Sequence, residues 1–341
     1  MPEKSLWRAA VLMLVLVVLV IGGWEIYLRS SGVTVSYDNG KELWADKRAM
    51  VYEPADKATV FLGSSRIKYD LDIPTWEQTT GRHAIQLAAE GSSPLPILID
   101  LGKDPRFKGR LVVDITEELF FSDSGPRGDR QGDYLAYYKS RTPAQRMSFL
   151  LDHAIESQFV FLDDDFLSLN AEIDKNFPLP NRPGVFVFPL FPKDFQLCTF
   201  DRQDKMTPKF VADTSLQGQV QRIWLLLMGM AKNAPRPAVD PLPGIMLEAT
   251  AAVDSIRARG GDVVFVRTPS VGPMFMIESH AFPRAKFWDP LLVATHSNGI
   301  YFLDHPETAH FVCPEWSHLK PADAIAYTKA LIPLLPKTFV Q

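Results

Sequence analysis

Ala58-Thr59-Val60-Phe61-Leu62-Gly63-Ser64-Ser65-Arg66 is the stretch on which the reading of this chain turns. Val60 to Leu62 is an apolar run of strand formers. It breaks at Gly63 and offers two hydroxyls, Ser64 and Ser65, followed by the cation Arg66. A buried strand that stops at Gly-Ser-Ser places a small nucleophile at a strand's carboxyl end, where open α/β sheets bind their ligands. Taken alone, the stretch favours a plainer reading, a strand-to-helix turn with a serine N-cap.

The chain has 341 residues, enough for one large domain or two small ones. Its 36 Lys and Arg against 40 Asp and Glu leave a net charge of −4. With no polybasic tract and no basic-aromatic stripe, nucleic acid is excluded as a partner. The 27 prolines sit among plentiful aromatic residues, 11% of the chain, which points to ordered loops rather than disorder. Cys198 and Cys313 form no Cys-x-x-Cys pair, and no His/Cys cluster has zinc spacing. They read as two buried small hydrophobes, or as one disulfide if the domain lies outside the cytoplasm. No metal and no cofactor is called for.

Residues 1–29 read as a membrane anchor. Ala9 to Trp24 is apolar without a charge, and Ile26 to Leu28 extend it beyond Glu25. The run reaches the roughly 20 residues a bilayer needs if Trp24 and Tyr27 lie in the interface. Gly22-Gly23 followed by Trp-Glu-Ile-Tyr is a poor cleavage context, which favours an uncleaved helix over a signal peptide. Lys4 and Arg8 precede the span, so the N-terminus is expected in the cytoplasm and the bulk outside. In a bacterium that is the periplasm or the outer face of the inner membrane.

Residues 30–57 read as a polar stalk, and the main domain as 58–341. After the opening strand, a short helix is expected around Ile73–Thr79, a second strand at His83–Ala89 and a helix from Pro94 to Leu101. A third strand follows at Arg110–Thr116. Strands and helices in alternation imply parallel βαβ units. The alternation stops over about 120–240, read as a largely helical insertion that packs over the sheet edge or covers a site. It holds expected helices at Arg141–Phe161, Phe166–Asp174 and Gln217–Lys232, and a proline- and aromatic-rich run, Phe177–Pro192. The alternation resumes with a helix at Pro241–Gly260, a strand at Asp262–Pro269, a helix at Pro283–Ser297, a fifth strand at Gly299–Asp304 and a last helix at Pro321–Leu335.

A serine needs a base to take its proton, usually histidine, and a carboxylate to orient that base. The tail supplies both in Cys313-Pro314-Glu315-Trp316-Ser317-His318-Leu319, just before the last helix. A loop between the last strand and the last helix lies at the sheet edge where Gly-Ser-Ser lies, which prefers His318 over the other histidines.

In block order, the chain resembles the SGNH, or GDSL-like, hydrolase superfamily, in its membrane-anchored bacterial branch. The resemblance covers about Thr59–Leu335 without the insertion. The family's Gly-Asp-Ser block aligns with Gly63-Ser64-Ser65, which implies Ser65 as nucleophile. The glycine after the second strand aligns with Gly91, which with the Ser65 N–H implies the oxyanion hole. The Asp-x-x-His block aligns with Glu315-Trp316-Ser317-His318, with glutamate in place of aspartate. The family's third block should supply an oxyanion-hole asparagine, but Val113-Asp114-Ile115-Thr116-Glu117-Glu118 has none. Arg66 and Ser92 are the substitute donors or substrate-binding residues. The implied fold is a three-layer α/β/α domain with a mostly parallel five-stranded, flavodoxin-like sheet.

The resemblance implies a membrane-anchored serine esterase or O-acyltransferase acting on acyl groups, acetyl first among them, of an envelope or extracellular polysaccharide. A multispanning membrane acyltransferase is a partner it allows. The alternative is a non-catalytic accessory or carbohydrate-binding subunit, favoured by the missing asparagine. A phosphate or metal site at Asp114, Glu117, Asp304 and His305 ranks below both, and Asp304 is a fallback for the triad carboxylate.

Overall fold

The computed structural model describes residues 3–122, 130–163, 173, 189–233 and 238–340. The expected helix over Phe166–Asp174 lies almost wholly outside these residues, as do residues 177–188 of the proline–aromatic run. The chain forms two compact units, Met1–Asp38 with Thr142–Val187 and Asn39–Arg141 with Phe188–Gln341.

The first unit is built on helix α1 (Glu3–Ser30). Its stretch Leu6–Ser30, with a mean hydropathy of 2.5, is long and apolar enough to cross a membrane. Glu25, which interrupts the apolar run, is buried and fully used. Its carboxylate accepts the amides of Val160 and Phe161 at 3.1 and 3.2 Å and the Arg29 Nε at 2.6 Å.

The second unit starts with α2 (Lys41–Met50). Then come β1 (Ala58–Leu62), α3 (Ser65–Asp70), α4 (Ile73–Thr80), β2 (His83–Gln86), α5 (Leu95–Lys103), β3 (Arg110–Asp114), α6 (Glu117–Phe120) and α7 (Arg130–Ser140). Helix α8 (Pro143–Glu156) belongs to the first unit. The second unit resumes with a two-residue antiparallel pair, β4 (Leu197–Cys198) and β5 (Asp204–Lys205), then α9 (Pro208–Ala212), α10 (Thr214–Asn233), α11 (Leu242–Ala258), β6 (Asp262–Arg267) and α12 (Gly272–Ala281). It closes with α13 (Trp288–Thr295), β7 (Asn298–Tyr301), α14 (Pro306–Ala309) and α15 (Pro321–Leu331).

Five strands form one parallel sheet in the order β2-β1-β3-β6-β7. Strand side chains alternate between faces, and here both faces are buried, which is why the strands read as unbroken apolar runs. Val60, Leu62, Leu111, Val113, Val263 and Phe265 enter one apolar cluster with residues of α5 and α11. Phe61, Val112, Val264 and Val266 enter another with residues of α3, α4 and α15. Helices α5 and α11 pack closely because Gly102 lacks a side chain, and a Cβ there would lie 2.8 Å from the Ala252 Cα. Cys198 and Cys313 are both buried, and they form no disulfide with each other.

The stretch read as a stalk instead contains a core helix. Trp44 and Ala45 of α2 are fully buried in the first cluster, and the Trp44 indole donates to the Leu87 carbonyl at 2.9 Å. Its cations Lys47 and Arg48 are also buried, with Arg48 held by Asp100 at 2.7 Å. Trp44→Ala should therefore cost about 3–5 kcal/mol of stability, measured by chemical denaturation; an unchanged midpoint would restore the stalk reading.

Candidate active site

At the carboxyl end of β1 the chain turns sharply. Gly63 has φ +156°, and a Cβ there would lie 2.7 Å from Ile67 Cγ2 and 2.9 Å from Asp114 Cβ. Only glycine fits. Ser64 occupies the N-cap position of α3, but its hydroxyl makes no cap bond. It bonds the Thr116 hydroxyl at 2.7 Å, joining the ends of β1 and β3. The serine-cap reading of this turn thus fails, and the first N–H groups of α3 are left uncapped.

Ser65 opens α3, with its Oγ 2.8 Å from His318 Nε2. His318 Nδ1 lies 3.0 Å from Glu315 Oε1. With Nδ1–H donated to the carboxylate, Nε2 turns its lone pair toward the serine hydroxyl. Glu315 Oε1 also accepts the amides of His318 at 2.6 Å and Ser317 at 3.3 Å. Glu315 Oε2 accepts the Trp224 indole N–H at 2.5 Å. Both His318 and Glu315 are buried. Tyr69, Phe195 and Trp224 pack around the imidazole, with ring centroids 4.5, 5.6 and 5.9 Å away.

The His318 loop is clamped to both ends of α3. Arg66 Nε donates to Ser317 Oγ at 3.1 Å, and Asp70 accepts the Leu319 amide at 2.9 Å. Just before them Trp316 sits at φ +83°, a costly conformation for a bulky residue that the surrounding contacts impose. Its carbonyl is held by the Val271 amide at 2.9 Å.

Ser65 and Gly91 line one cavity of about 620 Å³ together with Arg66, Ser92 and Thr116. Gly91 has φ +60° in a turn closed by the Ser92 amide on the Ala89 carbonyl at 3.3 Å. The preceding residue, Glu90, pairs with the buried Lys68, which also meets Asp204 Oδ2 at 2.9 Å. Burial pushes the Asp204 carboxyl up to about 7. Burial acts against the Glu90 charge too, but Lys68, Arg202 and Arg130 together outweigh it and hold Glu90 below the usual range.

The third strand offers no amide side chain. Thr116 is engaged by Ser64, and Glu117 is paired with Arg267 at 3.0 Å. Arg66 borders the cavity, but its guanidinium pairs with Glu278, leaving Nη1 without a partner among the described residues. Ser92 Oγ donates to the Glu90 carbonyl at 3.2 Å. The acidic residues weighed as a phosphate or metal site have separate partners. Asp114 accepts the Thr268 amide and hydroxyl at 3.2 and 3.0 Å, and Asp304 meets Arg284 at 2.5 Å. Among the described residues no group of three or more His, Cys, Asp or Glu is placed to hold a metal ion.

Sequence reasoning missed Trp224, Lys68 and Glu90. Trp224 stands 91 positions from Glu315 on an otherwise apolar helix face, and only its indole N–H hints at a polar partner.

Compared with known proteins, the sequence matches no family profile and no curated protein.

Asp114, beneath Gly63, carries a pH signature. Burial raises its carboxyl to about 6, above its unfolded value, so folding favours the protonated form. That contribution is full below the ordinary carboxylate range and is lost as pH rises through 6. Asp114→Asn keeps an acceptor for Thr268 and should remove up to about 3 kcal/mol of this pH dependence. Denaturation midpoints of the two proteins between pH 4 and 7.5 would check it: the variant's curve should be flatter, and parallel curves would be the contrary result.

Proposed function

We propose that this chain is a serine esterase or O-acyltransferase on a three-layer SGNH-like domain, held at a membrane by its N-terminal helix. The observation that carries the reading is the unbroken line Ser65 Oγ, His318 Nε2, His318 Nδ1, Glu315 Oε1, with contacts of 2.8 and 3.0 Å. Hydroxyl, imidazole and buried carboxylate in that order constitute an activated nucleophile.

Ser65 Oγ attacks the acyl carbonyl as its proton passes to His318 Nε2. Glu315 holds the imidazole in the tautomer that can accept it and stabilises the cation that forms. The tetrahedral oxyanion is met by the N–H groups of Ser65 and Gly91, neither of which has a hydrogen-bond partner among the described residues. His318 then returns the proton to the departing alcohol. Water or a sugar hydroxyl, deprotonated by the same imidazole, takes the acyl group from Ser65. We assign the substrate to the acylated envelope or extracellular polysaccharides that the resemblance implies. Lys4 and Arg8 ahead of the span support a cytoplasmic N-terminus in a bacterial inner membrane, with the catalytic unit on the far side.

The missing third-strand amide supports a second reading, a non-catalytic accessory subunit of a membrane acyltransferase. One lost oxyanion donor costs on the order of 2.7–4 kcal/mol in the transition state. A fluorophosphonate probe separates the two. Covalent labelling of the full-length protein, abolished in Ser65→Ala, supports catalysis. Absence of labelling, with polymer acylation persisting in cells that carry Ser65→Ala, supports the accessory role.

If the protein is catalytic, Glu315→Gln should lower kcat on the order of 10⁴-fold, because an amide cannot hold the same tautomer. Trp224→Phe, which removes one donor from the carboxylate, should lower it by only about tenfold. Equal losses in the two variants would show that Glu315 acts only through packing.

A further inference from the structure

The cavity at Ser65 has two chemically distinct walls. The loops after the strands and α7 contribute polar groups, among them Glu90, Ser92, Glu118 and Arg130. The segment before β4, with α10 and α12, contributes Phe191, Trp224, Leu227, Met228, Met230 and Met274.

Part of this wall is not core. Phe191 and Trp224 pack against a buried apolar cluster and Met274 is buried, but Leu227, Met228 and Met230 belong to none of those clusters among the described residues. Met230 is 44% exposed. An apolar wall that borders a cavity rather than a packed interior is suited to apolar ligand. Three methionines make it adaptable, since the unbranched thioether chain fits ligands of varied length.

An ester brings two groups to its carbonyl. A hydroxylated alcohol matches the polar wall and gains nothing from methionine side chains. The apolar wall is left for the acyl group. An acetyl group would leave most of 620 Å³ unfilled, a volume within the range of about 300–1,000 Å³ for small-molecule sites. We infer that the enzyme transfers or hydrolyses an aliphatic acyl chain longer than acetyl, of medium length, seated against α10 and α12. This rests on the serine acyl-transfer reading above and replaces acetyl as the favoured acyl group.

In the reaction the bond from Ser65 Oγ to the acyl carbon forms and the ester C–O bond breaks. The serine proton leaves with the alcohol through His318. The chain stays on the apolar wall until water or a sugar hydroxyl forms the new bond and releases Ser65.

The test uses the full-length protein in lipid nanodiscs with p-nitrophenyl esters from acetate to dodecanoate, subtracting turnover by Ser65→Ala. Each buried methylene is worth about fourfold in binding, so burial of about three of the six methylenes that octanoate adds to acetate should raise kcat/KM on the order of a hundredfold. Met228→Trp, which fills the wall, should lower that octanoate-to-acetate ratio at least about tenfold. Met230→Trp, at an exposed position, should lower it as well and serves if the first variant does not fold. Ser65-dependent turnover with acetate equal to or better than octanoate overturns the acyl-chain inference and leaves the serine mechanism standing. Absence of both Ser65-dependent turnover and fluorophosphonate labelling overturns the two together.

Discussion

The carboxylate of Glu315 is the point on which the rest of the site depends. It is fully buried, and a buried charge is tolerable only when its lone pairs are taken. One oxygen receives the imidazole and two backbone amides, and the other receives the Trp224 indole. The backbone amides shape the loop, the imidazole contact sets the base, and the indole ties in a helix from the region between β3 and β6. One charge thus orders a turn, a tautomer and a cavity wall together.

A second set of buried charges lies beside it. Arg66 and Arg267 share Glu278, and Arg267 also holds Glu117, while Ser270 adds a hydroxyl to Glu278 at 2.8 Å. Two cations and two carboxylates balance. Loss of any one leaves a partner charged and buried, which typically costs about 3–5 kcal/mol. The network holds the first turn of α3, and so Ser65, in fixed register with the ends of β3 and β6. Arg66, which looks in the sequence like a free cation beside the nucleophile, is chiefly part of this frame.

The sheet was legible because its strands are buried on both faces and read as apolar runs between glycine-bearing turns. Ser65, His318 and Glu315 were legible as a group because a hydroxyl, an imidazole and a carboxylate stood beyond strand ends in workable order. Three features were not. Helix α2 was hidden by Lys41, Glu42, Asp46, Lys47 and Arg48, which suggest solvent; its burial depends on Asp100 and other partners far along the chain. Helix α3 is six residues, Ser-Arg-Ile-Lys-Tyr-Asp, too short for a period to emerge, and its charges are buried by residues from elsewhere. The pairing of Trp224 with Glu315 is purely tertiary, and no local pattern encodes it.

Glutamate at 315 has one methylene more than an aspartate in the same place would have. That extra reach lets one carboxylate span from the loop amides to the indole of α10. An aspartate anchored on the same amides would draw its second oxygen back from Trp224 and strand the indole N–H. Residues 224 and 315 therefore form one structural unit. In related chains they are expected to covary, a donor on the helix accompanying glutamate and giving way where aspartate returns. The extra methylene thus ties the helical region to the hydrogen-bonded line that ends at Ser65.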